Sequence, residues 1–376
     1  MNLLITGANG FMGKNLRMAL QGRGDALFAT DIDTPAAALQ RAAREADFVF
    51  HLAGVNRPLN EAEYHTGNAG FTETLLAMLA AGRKPPVLLS GSTQAALANP
   101  YGQSKLLAEQ AVRAYGECTG APVYCYRLTN AFGKWSRPNY NSALATFCFN
   151  IARGLPVTVA DPDKTLRLVY IDDIVTEFLR ALEGRPTAGK DGLCHAGPEH
   201  EATLGQIVAL LNVFHESRET LALPDQRDPF VRKLYATYQS FLPEDGFAYA
   251  PVSHADARGS FTELLRMGGY GQVSVNVVKP GVCKGEHWHH TKHEKFVVVA
   301  GSGVIRFRSP FSETVLAYPV NGESITVVDI PPGFTHNIEN LGDCDMVTLM
   351  WASEPFDPQR PDTWRLPVAP QGRDTP

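Results

Sequence analysis

Leu3-Leu4-Ile5-Thr6-Gly7-Ala8-Asn9-Gly10-Phe11-Met12-Gly13 opens the chain with a short apolar run and three glycines three residues apart, and Lys14 to Leu20 then reads as helix. A buried strand that breaks through glycines into a helix points to a parallel sheet with a ligand at the strand's carboxyl end. Gly7 permits the tight turn, Gly10 lets the backbone approach a pyrophosphate, and Gly13 lets the helix pack on its strand. The helix N-terminus then faces the phosphates. The pattern predicts a dinucleotide-binding α/β domain, with Gly7, Gly10, Phe11 and Gly13 against the cofactor.

Later segments extend the same sheet. Ala26 to Thr30 is a second strand ending in Asp31, where an acid usually bonds the adenosine ribose 2'-hydroxyl and repels a 2'-phosphate. That favours NADH over NADPH, although Asp33 next door leaves open a solvated loop acid. Asp47 to Gly54 is a third strand whose end, Leu52-Ala53-Gly54, is small enough to touch a cofactor. Val87 to Ser92 is a fourth and brings Ser92, with Thr93 as alternative, to the same edge as a hydrogen-bond donor for a substrate carbonyl. In Asn99-Pro100-Tyr101-Gly102-Gln103-Ser104-Lys105, Pro100 suits the first helical turn and Tyr101 and Lys105 share one face. A phenol beside an ammonium is a proton donor for a ketone receiving hydride, and the charge should draw the phenol's pKa toward working pH. Such a pair also occurs by chance on helix surfaces, so its company carries the argument.

The 376 residues suffice for two cores, and a net charge of -5 argues against nucleic acid or a membrane surface as partner. Apolar runs are strand-length, and Met1 enters a strand without a basic, leader-like start, so neither a membrane span nor a signal peptide is expected. Six scattered cysteines with no CxxC pair suit reduced thiols in the cytoplasm. After Pro243-Glu244-Asp245-Gly246 the pattern changes from alternating helix and strand to strands alone. We therefore expect an α/β domain over 1–245 and an all-β sandwich or small barrel over 246–376.

On the second half sits Gly281-x5-His287-Trp288-His289-x4-Glu294-x6-Gly301, followed by Pro331-Pro332-Gly333-x2-His336. His287 and His289 are two apart on a strand and point to one side, with Glu294 and His336 arriving from neighbouring strands. Three imidazoles and a carboxylate suit zinc, iron, manganese or nickel, and zinc leads because a redox metal beside a reductase has no evident task. A solvated or substrate-lining histidine cluster, with His290 and His293 included, is the competing reading.

Gly7/Gly10/Gly13, His51-Leu52-Ala53-Gly54, Ser90-Gly91-Ser92 and Tyr101/Lys105 together resemble the extended short-chain dehydrogenase/reductases of the nucleotide-sugar type. Arg127-Leu128-Thr129-Asn130-Ala131-Phe132-Gly133 and Arg167-Leu168-Val169-Tyr170-Ile171-Asp172-Asp173 resemble two later segments of that group. The resemblance implies that Tyr101 is the acid, that Lys105 orders the nicotinamide ribose and assists it, and that Ser92 orients the carbonyl. It also implies that Asn130 holds the sugar nucleotide and that Arg167 meets its diphosphate; Asn139 and Asn141 lie in a polar loop able to reach sugar or base. The His/Glu spacing resembles the cupin motif, except that the glycine before Pro-x-Gly is displaced to Gly322. Asp256-Ala257-Arg258-Gly259-Ser260-Phe261-Thr262-Glu263 resembles the opening of the deoxysugar 3,5-epimerases, which share that barrel.

In this order, the parts resemble the bifunctional capsular-polysaccharide enzymes that make the UDP-N-acetyl-L-fucosamine precursor. The resemblance implies C3 epimerisation of a UDP-2-acetamido-2,6-dideoxy-4-ketohexose in the cupin half, then C4 reduction with NADPH to the L-talose sugar. A zinc-bearing cupin and a homodimer are implied as well. The acidic Asp31-Ile32-Asp33 departs from what NADPH would want. The epimerisation base stays open among His290, Lys284, Glu286, Lys295 and Tyr318, as does a catalytic or structural part for the metal. The alternative is a C4 reductase whose cupin is a non-catalytic dimerisation or sugar-binding module.

Overall fold

The structure, a computed structural model, describes residues 1–370. Five parallel strands form the first sheet: β1 (Asn2–Thr6), β2 (Ala26–Thr30), β3 (Phe48–His51), β4 (Val87–Ser92) and β5 (Val123–Leu128), in the order β2-β1-β3-β4-β5. Alternation along β1 feeds two cores. Leu3 and Ile5 join Leu16, Phe50, Tyr126 and Phe178 on one face, whereas Leu4 joins Val49, Leu75, Leu89 and Val112 on the other. Each fully buried side chain of this size contributes about 1.5–3 kcal/mol, which explains why the strands read as continuous apolar runs. The chain order reverses between β1 and β3, so a crevice opens at their carboxyl ends. A mixed sheet of β6 (Asn130–Phe132), β7 (Thr165–Tyr170) and β8 (Glu199–Thr203) follows.

The last eleven strands are β9 (Ser253–Asp256), β10 (Gly259–Arg266), β11 (Gln272–Val278), β12 (Cys283–Trp288), β13 (Glu294–Ala300), β14 (Ser302–Arg308), β15 (Val315–Asn321), β16 (Val327–Ile330), β17 (Thr335–Asn340), β18 (Met346–Ala352) and β19 (Trp364–Arg365). They form two antiparallel sheets, β16-β13-β18-β11-β10-β9 and β15-β14-β17-β12-β19. Val278, Phe296, Ile305, Phe307, Ile338 and Met346 pack into one core. On β11 the buried positions are Gln272, Ser274, Asn276 and Val278. An inward face with three polar side chains suits a ligand cavity better than a dry core.

The chain divides into two compact units, Met1–Asn212 with Lys233–Pro243, and Val213–Arg232 with the residues from Glu244 onward. The expected single boundary after residue 245 therefore needs a correction, because Val213–Arg232 belongs with the strands. Backbone pairing is the reason. Leu223 N–H donates to Arg266 O at 2.8 Å, Arg266 N–H donates to Leu221 O at 2.6 Å, and the Arg218 guanidinium donates to Gly246 O at 2.6 Å. Bonds of that sequence separation leave no mark on local periodicity.

Candidate functional site

The crevice at β1 and β3 is built on the glycine loop. Gly7 has φ +68°, and a Cβ there would lie 2.8 Å from Ala53 N; a Cβ on Gly13 would lie 2.3 Å from Gly7 O. The helix Phe11–Leu20 starts at Gly10 without a side-chain cap, which leaves first-turn N–H groups for phosphate oxygens. Phe11 packs against the sheet's core, and Leu52 does likewise. The Asp31 carboxylate accepts Asn9 N–H at 2.8 Å and Ile32 N–H at 2.9 Å, so it is pinned beside the loop where a ribose would lie. Below it, His51 bridges Thr6 Oγ1 (2.7 Å) and Thr72 Oγ1 (2.8 Å), and burial lowers its pKa to about 3, which keeps the ring neutral.

Tyr101, Lys105 and Ser92 meet at the same edge. The Lys105 ammonium is 5.9 Å from the centre of the Tyr101 ring, and burial lowers its pKa to about 8. For the phenol, burial raises the pKa and the Ser92 hydroxyl pulls it back. Burial is the larger of these two influences on the phenol. Gly54 is required by Lys105, since a Cβ there would sit 2.6 Å from Nζ and 2.9 Å from Asn68 Oδ1.

Two residues absent from the sequence reading complete this centre. Asn68 lies in a π-helical turn, His65–Gly70, a form that interrupts helices mostly at functional positions. Its amide clasps Val55 at both N–H (2.9 Å) and carbonyl (3.1 Å) and donates to Ser104 Oγ at 3.0 Å. Asn56, next in that loop, accepts the Tyr101 hydroxyl on Oδ1 at 3.0 Å. Neither carries a local signal, because an asparagine after a strand or in a helix has no distinguishing spacing.

The residues expected at the substrate are more dispersed. Asn130 donates to Arg167 O at 3.0 Å. Arg167 is 61% exposed, ion-paired to Glu199, with Glu201 at 3.8 Å, and lines a cavity of about 350 Å³ with Arg127 and His195. Asn139 and Asn141 are exposed in the loop before the helix Ala143–Ile151, and the backbone of Asn139, not its side chain, donates to Thr146.

In the second unit, His287, His289, Glu294 and His336 offer ligand atoms within 4.8 Å of one another. Gly285 (φ +104°) and Glu286 (φ +61°) form a bulge that shifts β12 against β17 and sets His287 opposite His336. Glu294 Oε2 lies 3.3 Å from His289 Nε2 and 3.6 Å from His336 Nε2. Both ring nitrogens of His336 are buried with no hydrogen-bond partner, and burial lowers its pKa to about 3. Three imidazoles around a carboxylate, one of them without a protein partner among the described residues, fit a divalent metal.

Asp362, about seventy residues away in sequence, fixes this loop. Its carbonyl accepts His289 Nδ1–H at 2.5 Å, which turns Nε2 toward Glu294 Oε2. Its carboxylate accepts the backbone N–H groups of His290, Thr291 and Lys292, each at 2.9 Å. Burial works to raise the Asp362 pKa, but those three bonds hold it far below the usual carboxylate range.

A cavity of about 650 Å³ runs from His287 past Lys284, Asp256, Arg258, His254 and Arg365. It sorts the base candidates. Lys284 lines it and donates to Asn276 Oδ1 and Val277 O, both at 2.9 Å. His290 does not line it: its exposed ring lies 4.4 Å from Trp288 and 5.5 Å from Trp364. Glu286 is engaged by Asn337 Nδ2 (2.6 Å) and Val368 N–H (2.5 Å), Lys295 pairs with exposed Asp329, and Tyr318 is exposed on β15.

Residues 3–192 match the NAD dependent epimerase/dehydratase family, and residues 254–364 match the polysaccharide biosynthesis C-terminal domain. A Pseudomonas aeruginosa protein described as UDP-2-acetamido-2,6-beta-L-arabino-hexul-4-ose reductase is 41% identical over 98% of this chain and 99% of its own length. The chain belongs to the NAD dependent epimerase/dehydratase family. The crystal structure of the capsular polysaccharide assembling protein CapF from Staphylococcus aureus superposes with a TM-score of 0.94 at 49% identity, covering 98% of this chain and all of that one. The Bacillus subtilis spore coat polysaccharide biosynthesis protein SpsL is 25% identical over 31% of this chain and 83% of its own length. Membership makes this an enzyme with a nicotinamide-dependent reductase half. Among the described residues, no helix is long and apolar enough to cross a membrane.

Proposed function

We propose that the chain acts twice on one UDP-2-acetamido-2,6-dideoxy-4-ketohexose. The second unit epimerises C3, and the first then reduces C4 to UDP-N-acetyl-6-deoxy-L-talosamine, a precursor for capsule or O-antigen. The observation that carries this is the whole-length identity to a 4-ulose reductase, joined to a Ser92–Tyr101–Lys105 centre at the sheet's carboxyl edge.

The glycine loop of Gly7, Gly10 and Gly13 would hold a reduced nicotinamide, which would supply the hydride. Ser92 and Tyr101 hold the ketone oxygen, Tyr101 gives it a proton, and buried Lys105 stabilises the phenolate left behind. The order follows from carbon acidity, because the C4 ketone acidifies C3 and reduction removes that acidity. In the second unit, read as a cupin, the cavity from His287 to Lys284 and Arg258 receives the sugar. His287, His289, Glu294 and His336 would hold zinc, which would supply a fixed positive charge. Lys284, His254 and Asp256 are the titratable groups facing a sugar there. Asp31 supports NADH, whereas the family resemblance supports NADPH; the resemblance also carries a cytoplasmic homodimer.

The test is to incubate the protein with the 4-keto sugar nucleotide and NADH or NADPH in heavy water and read the product by NMR. A 4-hydroxy product with inverted C3 and deuterium at C3 is expected. Reduction without C3 label would leave a C4 reductase alone.

A further inference from the structure

Asn56 is held beside the catalytic phenol by bonds that have no evident purpose in the fold alone. Asn68 clasps Val55 at 2.9 and 3.1 Å, and the Tyr64 hydroxyl donates to Asn56 O at 3.3 Å. The Tyr64 ring also packs on Tyr101, with ring centres 5.5 Å apart. These contacts hold the residue so that Oδ1 takes the Tyr101 hydroxyl, and among the described residues Nδ2 has no protein acceptor. A donor left open at the point of proton transfer faces whatever the phenol faces.

The chemistry of the sugar narrows what that is. The ketone oxygen has two lone pairs, and Ser92 and Tyr101 supply two donors for them. A third donor alongside falls to the neighbouring ring carbons. C5 carries an apolar methyl, and C3 carries a hydroxyl. We propose that Asn56 is a specificity-determining residue of the reductase centre. Its Nδ2 donates to the C3 hydroxyl, while Oδ1 gives up the phenol to the incoming ketone. Inverting C3 swings that hydroxyl to the other face of the ring, so Asn56 would admit the epimerised ketone and disfavour its precursor. The inference rests on the functional reading above and adds to it a checkpoint that orders the two reactions.

The test uses the full-length protein with the 4-keto sugar nucleotide and a reduced nicotinamide, comparing wild type with Asn56→Ala and Asn56→Asp. The aspartate keeps the shape and the acceptor for Tyr101 but removes the donor. Both variants should bind reduced nicotinamide as wild type does, by its fluorescence, which controls for folding. Both should lose about tenfold in kcat/KM, the size of one hydrogen bond to a neutral group. By NMR the reduced product of both variants should contain the two C3 configurations where wild type gives one, a readout that a merely structural role would leave unmoved. Wild-type kcat/KM with a single C3 configuration in Asn56→Asp would overturn the proposal. Wild type that oxidises no nicotinamide with this sugar would overturn the functional reading and this inference together.

Discussion

At the reductase centre the polar side chains have found one another: Tyr101 meets Asn56, Asn68 braces Val55 and Ser104, and His51 sits between two threonines. At the histidine cluster of the barrel, His336 is buried with neither ring nitrogen bonded, and three rings crowd one carboxylate. The first centre is assembled by protein contacts and needs its ligands for chemistry. In the second, one ring has no protein partner among the described residues, and a cation is what such a set would accept. The difference teaches that the two halves should fail differently when disturbed.

The most severe break is Tyr101→Phe, which should lower NAD(P)H oxidation about a thousandfold and leave C3 deuterium exchange running. Loss of both would show that the centres are not separable. Next comes metal. Elemental analysis should find about one divalent ion per chain. Asp362→Ala should weaken its affinity about tenfold in a chelator competition, with the reductase rate unchanged, because the carboxylate that ties residue 362, and with it the carbonyl on His289, to the His290–Lys292 backbone is lost. Unchanged affinity would make that brace irrelevant to the cluster. A smaller effect sharpens the first centre. Lys105 carries its charge below about pH 8, so the reduction rate should fall as pH rises through that value. A rate flat to pH 10 would remove the ammonium from proton transfer. Smallest is Asp31→Asn, which should shift preference toward NADPH by about fivefold in kcat/KM, since a carboxylate at the ribose repels the 2'-phosphate.

How much of each centre the sequence discloses follows the range of its contacts. Gly7, Gly10 and Gly13 are legible because the turn, the close approach and the helix packing all occur within seven residues. Tyr101 and Lys105 are legible through one helical turn. The donor set His287, His289, Glu294 and His336 was named from spacing, and the structure gathers those four. What was hidden depends on contacts that only the fold creates. Asn56 and Asn68 meet Tyr101 and Ser104 across more than thirty residues. Asp362 reaches His289 from the far end of the barrel sequence. Glu286, one of five open base candidates, sits at a bulge with positive φ that no period-two pattern discloses, and it bonds Asn337 and Val368.

Strand β19 and Asp362 carry a consequence for biosynthesis. The brace on the histidine loop and the strand beside His287 come from residues 362–365, so synthesis delivers them some seventy residues after the loop itself. During translation the first unit can acquire its shape while the histidine loop still waits for its last support. A ribosome stalled late, or a protease nick near residue 360, would thus release a molecule with its first unit complete and its histidine loop unbraced.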